Sequence, residues 1–192
     1  MPKTLQLFVI HCSATPEGRI VTPGDIQEWH LAPKRNDNGT YTYKGKTYAS
    51  VKSLPDETIN GKSIRTITGR GWSKVGYADM IALDGTVINL VPYNEDDVVD
   101  PWEITNGATG INGIARHIVY AGGMDKAGKL AKDTRTPEQL LAMEGWVKAT
   151  ITFHPQIKGA GHNQFAQKDC PSFFVPDWLK SIGIGSKNIF RR

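Results

Sequence analysis

Leu5-Gln6-Leu7-Phe8-Val9-Ile10-His11-Cys12 is the stretch on which the fold turns. An apolar run broken only by Gln6 is the pattern of a strand covered on both faces, as in the sheet of an α/β protein. It is too short and too soon interrupted for a signal peptide or a membrane span. The run ends on His11 and Cys12. Open α/β sheets carry their sites beyond the carboxyl ends of the strands, which makes His11 a candidate functional group. Taken alone, a strand-end His is more often a hydrogen-bonded structural residue than a ligand. Side chains alternate along a strand, so if His11 faces a cleft, Cys12 faces packing.

A second stretch concentrates chemistry near the other end of the chain: Gly161-His162-Asn163-Gln164-Phe165-Ala166-Gln167-Lys168-Asp169-Cys170-Pro171-Ser172. It is a poor helix and a poor strand. Between His162 and Cys170 the chain has room to loop out and return, so an imidazole nitrogen and a sulfur can converge as a tetrahedral metal requires. Two ligands do not hold a catalytic metal, and a third would have to come from elsewhere. Other readings of Cys170 stand beside this one: a small buried hydrophobe, the nucleophile of a Cys-His hydrolase, or half of a disulfide with Cys12.

Between these stretches the sequence alternates strand and helix signals. Thr22-Pro23-Gly24-Asp25 supplies an N-cap hydroxyl, Pro at the first helical position and an early acid; Ile26, Trp29 and His30 then share one helical face, which makes His30 a core-edge residue. From about 34 to 70 the composition shifts to Gly, Asn, Lys, Thr and Tyr, with hairpin signals at Lys44-Gly45 and Asn60-Gly61, and reads as an inserted β-rich flap. Its tyrosines could contact a substrate or cover the flap's own core. Asp84-Gly85 between two β-rich runs marks another hairpin, with Tyr77 beginning its first strand. Ile114 to Tyr120 reads as a strand with Arg116 and His117 as its polar members. Thr136-Pro137-Glu138-Gln139 is a capping box that opens the best helix, whose expected buried face is Leu140, Met143, Val147 and Ile151, reinforced by Leu141 and Phe153. His154-Pro155 ends that helix and places His154 toward solvent or the macrodipole. A short last helix follows from Pro176 to Ile182, and the tail to Arg192 reads as frayed.

Composition bounds the answer. A chain of 192 residues with 39% hydrophobic content is enough for one well-buried core, and its length favours a single domain. Two cysteines are too few for a disulfide scaffold, which fits a reducing compartment. A net charge of +4 and a pI near 9.0 suit an anionic partner, either nucleic acid or a cell-wall polymer. The Lys and Arg residues are dispersed and no recognised nucleic-acid motif occurs, so nucleic acid is not the expected partner.

Several ordered motifs, taken together, resemble a known family. His11-Cys12-Ser13-Ala14-Thr15, Gly71-Trp72 with Val75-Gly76-Tyr77 leading into Asp84-Gly85-Thr86-Val87, Gly122-Gly123-Met124-Asp125, and His162-x7-Cys170-Pro171-Ser172 resemble bacteriophage-lysozyme-type N-acetylmuramoyl-L-alanine amidases of the type 2 amidase and peptidoglycan-recognition protein superfamily. The likeness runs over roughly 5–33 and 69–182, in the family's order.

The resemblance implies an α/β fold with a mixed central sheet flanked by helices, and a single zinc amidase domain over 1–186 with residues 187–192 as a tail. It implies Zn2+ held by His11, His162 and Cys170 in a peptidoglycan groove, with Tyr77 and Lys168 matching the family's active-site tyrosine and lysine. Three protein ligands leave a fourth position open, the arrangement of a catalytic zinc site. The implied reaction is hydrolysis of the amide between N-acetylmuramic acid and L-alanine. The implied biology is a monomeric phage or prophage endolysin that waits in the cytoplasm until lysis, without a signal peptide and without inserting in a membrane. A non-catalytic peptidoglycan-binding module is the alternative. Two departures from the family stand out: Asn106-Gly107 where close relatives often carry a His, and a longer insertion at about 34–70.

Overall fold

The computed structural model describes residues 2–191. The chain divides into two compact units, one formed by Met1–Val21 with Tyr77–Arg192 and the other by Thr22–Gly76.

The first unit is built on a five-stranded mixed sheet. Its strands are β1 (Leu7–Cys12), β2 (Asp79–Ile81), β3 (Val87–Asn89), β4 (Ala115–Tyr120) and β5 (Lys158–Gly161), in the order β3-β2-β4-β1-β5. Strand β1 runs parallel to both β4 and β5, β4 runs parallel to β2, and only β3 is antiparallel to its neighbour. All six residues of β1 are buried, as the uninterrupted apolar run requires of a strand with both faces covered. Alternation divides them. Phe8, Ile10 and Cys12 join Ile118, Tyr120, Met143, Val147, Val175 and Leu179 in one core. Leu7 and Val9 join Ala115 in another, backed by Ile111, Ile114, Phe165 and Phe190. By the same alternation His11 lies on the face of Leu7 and Val9, and Cys12 on the opposite, packed face.

The Asp84-Gly85 hairpin forms as expected, pairing Ile81 with Val87. Tyr77, however, does not begin a strand; it lies two residues before β2, in the irregular approach to it. The helix over Pro137–Phe153 is capped by Thr136, whose hydroxyl accepts from the Gln139 amide, but its buried face differs from the expected one. Gln139, Met143, Val147 and Thr150 are buried, while Leu141 is 74% and Phe153 59% exposed. The reason is polar satisfaction: the Gln139 amide donates to the Ile81 and Ala121 carbonyls at 3.2 and 3.0 Å, and that turns the helix. Full burial of Met143 and Val147 contributes about 1.5–3 kcal/mol each.

His154 is also a correction. It faces neither solvent nor the open helix end but is 1% exposed, with Nδ1 2.8 Å from Asp97 Oδ1 and Nε2 3.5 Å from Glu95. It fastens the acidic loop. The expected fraying of the tail fails up to Phe190: the Asn188 amide donates to the Pro155 and Ile157 carbonyls, and the Phe190 amide donates to Gly159. Arg192 lies outside the described residues. The last helix spans Val175–Ser181.

The second unit contains a helix over Pro23–Leu31 with a full Thr22/Asp25 capping box. It also holds a three-stranded sheet (Lys34–Arg35, Tyr41–Tyr43, Lys46–Tyr48) and the pair Thr58–Ile59 with Lys62–Ser63. Lys44-Gly45 and Asn60-Gly61 take positive φ at both turn positions, the geometry of tight hairpins. Tyr43, Leu54 and Ile64 form the unit's own core, with Tyr41 and Tyr48 packed against it. The tyrosines therefore serve as packing. His30 is buried against Trp72, ring centroids 4.8 Å apart, and its Nδ1 accepts from the Gly76 amide. Burial, with the nearby Arg70 charge, pushes its pKa down to about 4.

Candidate metal centre

Strand β1 delivers His11 at its carboxyl end, and β5 delivers His162 immediately after Gly161, in the adjacent parallel strand. Parallel pairing brings the two strand ends level, so two histidines 151 positions apart in the chain meet with their Nδ1 atoms 3.1 Å apart. The return of the loop supplies the third group. Its closure is fixed by the Asn163 amide donating to the Cys170 carbonyl at 2.7 Å and by the Tyr120 hydroxyl donating to the Pro171 carbonyl at 2.7 Å. The Ser172 hydroxyl, on a residue at φ 71°, donates to the Gly123 carbonyl at 2.7 Å. Gly123 itself sits at φ 101°, and a Cβ there would lie 2.5 Å from Cys12 Sγ, so only glycine fits this wall.

Cys170 Sγ lies 3.7 Å from His11 Nδ1 and accepts from the Cys12 amide at 3.3 Å. Both cysteines are free thiols, which removes the disulfide reading. Among the described residues, His11, His162 and Cys170 form the one cluster of this kind, their ligand atoms all within 4.8 Å of one another. Tetrahedral zinc, with bonds of about 2.0–2.1 Å to nitrogen and about 2.3 Å to sulfur, places two nitrogens roughly 3.3 Å apart and nitrogen and sulfur roughly 3.6 Å apart. The 3.1 Å between the two nitrogens and the 3.7 Å from His11 to sulfur match these values, and all three ligand atoms stay within 4.8 Å, so the donor set suits such an ion.

The electrostatics suit a cation ligand set. Burial, with the Lys168 charge, pushes the His162 pKa down to about 4, leaving a neutral ring with a lone pair at neutral pH. The neighbouring Cys12 thiol and burial push the Cys170 thiol up, so the pocket by itself favours the protonated sulfur. That disfavours a free thiolate nucleophile and leaves ionisation of Cys170 to a bound cation.

The remaining candidates lie around this cluster. Tyr77 is half-buried, its ring centroid 5.1 Å from that of His11. Lys168 is exposed on the loop between His162 and Cys170, near enough for its charge to act on His162. His117 was legible only as a polar member of its strand, with no motif to single it out. Its Nδ1 lies 2.9 Å from His11 Nε2. Knowing the parallel register, His117 opposite Val9 and so diagonal to His11, would have revealed it.

No family model matches the chain. The endolysin of Enterobacteria phage K11 is 24% identical over 174 residues, 91% of this chain and 85% of the relative. The endolysin of Escherichia phage T7 is 24% identical over 172 residues, 88% and 82% of the two chains. Among solved structures, the N-acetylmuramoyl-L-alanine amidase LysC from Clostridium intestinale URNW superposes with a TM-score of 0.58 at 17% identity, over 96% of this chain and 91% of that one. Drosophila PGRP-LB does so with a TM-score of 0.56 at 17% identity, over 100% and 91%. The chain has the fold these proteins share. No helix among the described residues is long and apolar enough to cross a membrane.

Proposed function

We propose that this chain is a zinc-dependent N-acetylmuramoyl-L-alanine amidase acting on bacterial peptidoglycan, a phage or prophage endolysin. The observation that carries the reading is the convergence of His11 Nδ1, His162 Nδ1 and Cys170 Sγ at distances that suit one tetrahedral ion. The likeness to phage endolysins over most of both chains supports it. Zinc held by these three residues supplies Lewis acidity toward the scissile carbonyl and lowers the pKa of water toward neutrality.

The chain's own residues do the rest. His11 and His162 would hold neutral imidazoles toward the ion, and Cys170 would contribute the one negative charge, so the loaded site would stay formally cationic and suit a developing oxyanion. Tyr77, its ring beside that of His11, would offer its hydroxyl as a hydrogen-bond donor to negative charge developing on the carbonyl oxygen. Lys168 offsets negative charge from the rim of the loop, and one of these two groups passes a proton to the leaving amine. The working unit is a single zinc amidase domain that takes in the packed residues up to Phe190, monomeric, which waits in the cytoplasm of the bacterium until lysis.

The test combines metal analysis of the purified chain with release of new amino termini from purified sacculi. Chelation abolishes release and zinc restores it. Bound zinc without turnover would instead indicate a peptidoglycan-binding module, and turnover that survives chelation but is blocked by iodoacetamide would indicate a Cys-His hydrolase.

A further inference from the structure

His117 is 0% exposed, on the middle of β4, yet carries an imidazole where an apolar side chain would pack without polar cost. One of its nitrogens, Nε2, has no hydrogen-bond partner; the other, Nδ1, lies 2.9 Å from His11 Nε2. A neutral imidazole has one N–H and one lone pair, so the direction of this bond decides what His11 presents on its far side. If His117 donated, His11 Nε2 would be the acceptor and His11 Nδ1 would carry the proton, pointing an N–H at His162 and Cys170. If His11 Nε2–H donates, Nδ1 keeps a bare lone pair aimed at the ligand cluster. The second arrangement puts the His117 proton on its unpartnered Nε2. A buried N–H without a partner is a cost, which is offset when a bound cation uses the bare lone pair of His11 Nδ1.

We propose that His117 is a positioning residue for metal binding: it accepts a hydrogen bond from His11 Nε2–H and thereby holds His11 in the tautomer and orientation that expose Nδ1 to the ion. The assignment rests on the zinc reading above. Parallel register makes the contact, since Val9 and His11 share one face of β1 and His117 stands opposite Val9 in β4. Metal-binding histidines commonly give their other ring N–H to a hydrogen-bonding partner, and here a second imidazole lies 2.9 Å from His11 Nε2.

Zinc dissociation constants by competition with a chromogenic chelator test this, together with the visible spectrum of the cobalt-substituted protein and circular dichroism to verify folding. His117→Leu weakens zinc binding by about 10- to 100-fold, the usual effect of removing such a partner. His117→Asn puts an amide oxygen near the place of Nδ1 and restores affinity and the cobalt spectrum; His117→Gln puts it near Nε2 and does not. A Leu variant with wild-type affinity, or Asn and Gln variants that bind alike, overturns the proposal. Should the Leu variant not fold, the Asn and Gln pair decides. A wild-type chain that takes up no zinc sinks the zinc reading itself, whereas normal wild-type uptake with an unaffected Leu variant sinks only the role of His117.

Discussion

Gly161→Ala isolates the dependence of the metal cluster on local packing. Gly161 is the last residue of β5 and the neighbour of His162; its amide donates to Gln164 Oε1 at 2.9 Å. A Cβ at this position would lie 2.7 Å from Asn163 Oδ1, 2.9 Å from Val175 Cγ2 and 3.1 Å from Pro171 Cδ. Val175 is fully buried, and Pro171 follows the ligand Cys170, so neither has room to withdraw. Overpacking of this kind costs about 1–3 kcal/mol. For a chain of this size that lowers Tm by roughly 2–12 °C. Relief must come from moving the His162 turn or the Cys170 turn, so zinc affinity falls as well. Gly145→Ala is the internal control: Gly145 lies exposed in the Pro137–Phe153 helix with nothing within 4 Å of a new Cβ, and Ala there raises stability by about 0.5–1 kcal/mol. Thermal denaturation with and without zinc, followed by competitive zinc titration, reads both effects. A Gly161→Ala protein as stable as wild type, with unchanged zinc affinity, would refute the reasoning.

Three further outcomes follow from the structure. Cys170→Ser removes the only anionic ligand and loses metal in a zinc-content assay while circular dichroism shows a folded chain. Tyr77→Phe and Lys168→Ala retain zinc and slow sacculus hydrolysis by about 10- to 1000-fold, the range for loss of one donor to a developing oxyanion or one proton-transfer group; metal loss in either would move that residue into the ligand set or into folding. The metal-free protein weakens in acid. Burial holds His117 at about 3 and His30, which also faces Arg70, at about 4, both below the unfolded value of about 6.5. Between those limits the unfolded chain binds protons that the folded chain refuses. Stability is therefore complete above about pH 6.5 and falls with acidification, at up to about 1.4 kcal/mol per pH unit for each histidine. Urea denaturation from pH 7 to 4 in the presence of chelator measures this, and a flat profile would contradict the neutral buried assignments.

Local rules made much of the architecture legible. The apolar run of β1, the Thr22 and Thr136 caps, and the Lys44-Gly45, Asn60-Gly61 and Asp84-Gly85 turns depend on neighbours a few residues apart, and each element formed where its local chemistry placed it. The meeting of His11, His162 and Cys170 was legible through the ordered motifs, because strand-end positions and the returning loop carry distinctive residues. What stayed hidden depended on distant partners. His154 is buried by an acidic loop that reaches it from Asp97, 57 residues earlier. The face of the long helix is set by Gln139 meeting the carbonyls of Ile81 and Ala121, a polar contact that apolar periodicity does not weigh. His117 meets His11 only through the register of two parallel strands, which neither strand's sequence specifies alone.

The central claim is that His11, His162 and Cys170 hold one divalent ion that drives amide hydrolysis in the cell wall. The most direct measurement is release of L-alanine amino termini from purified sacculi by the chain at defined zinc occupancy. The account predicts release in proportion to bound zinc, with one zinc per chain at saturation, and none after chelation. Undiminished release from the metal-free chain, or saturation with zinc without any release, would contradict it.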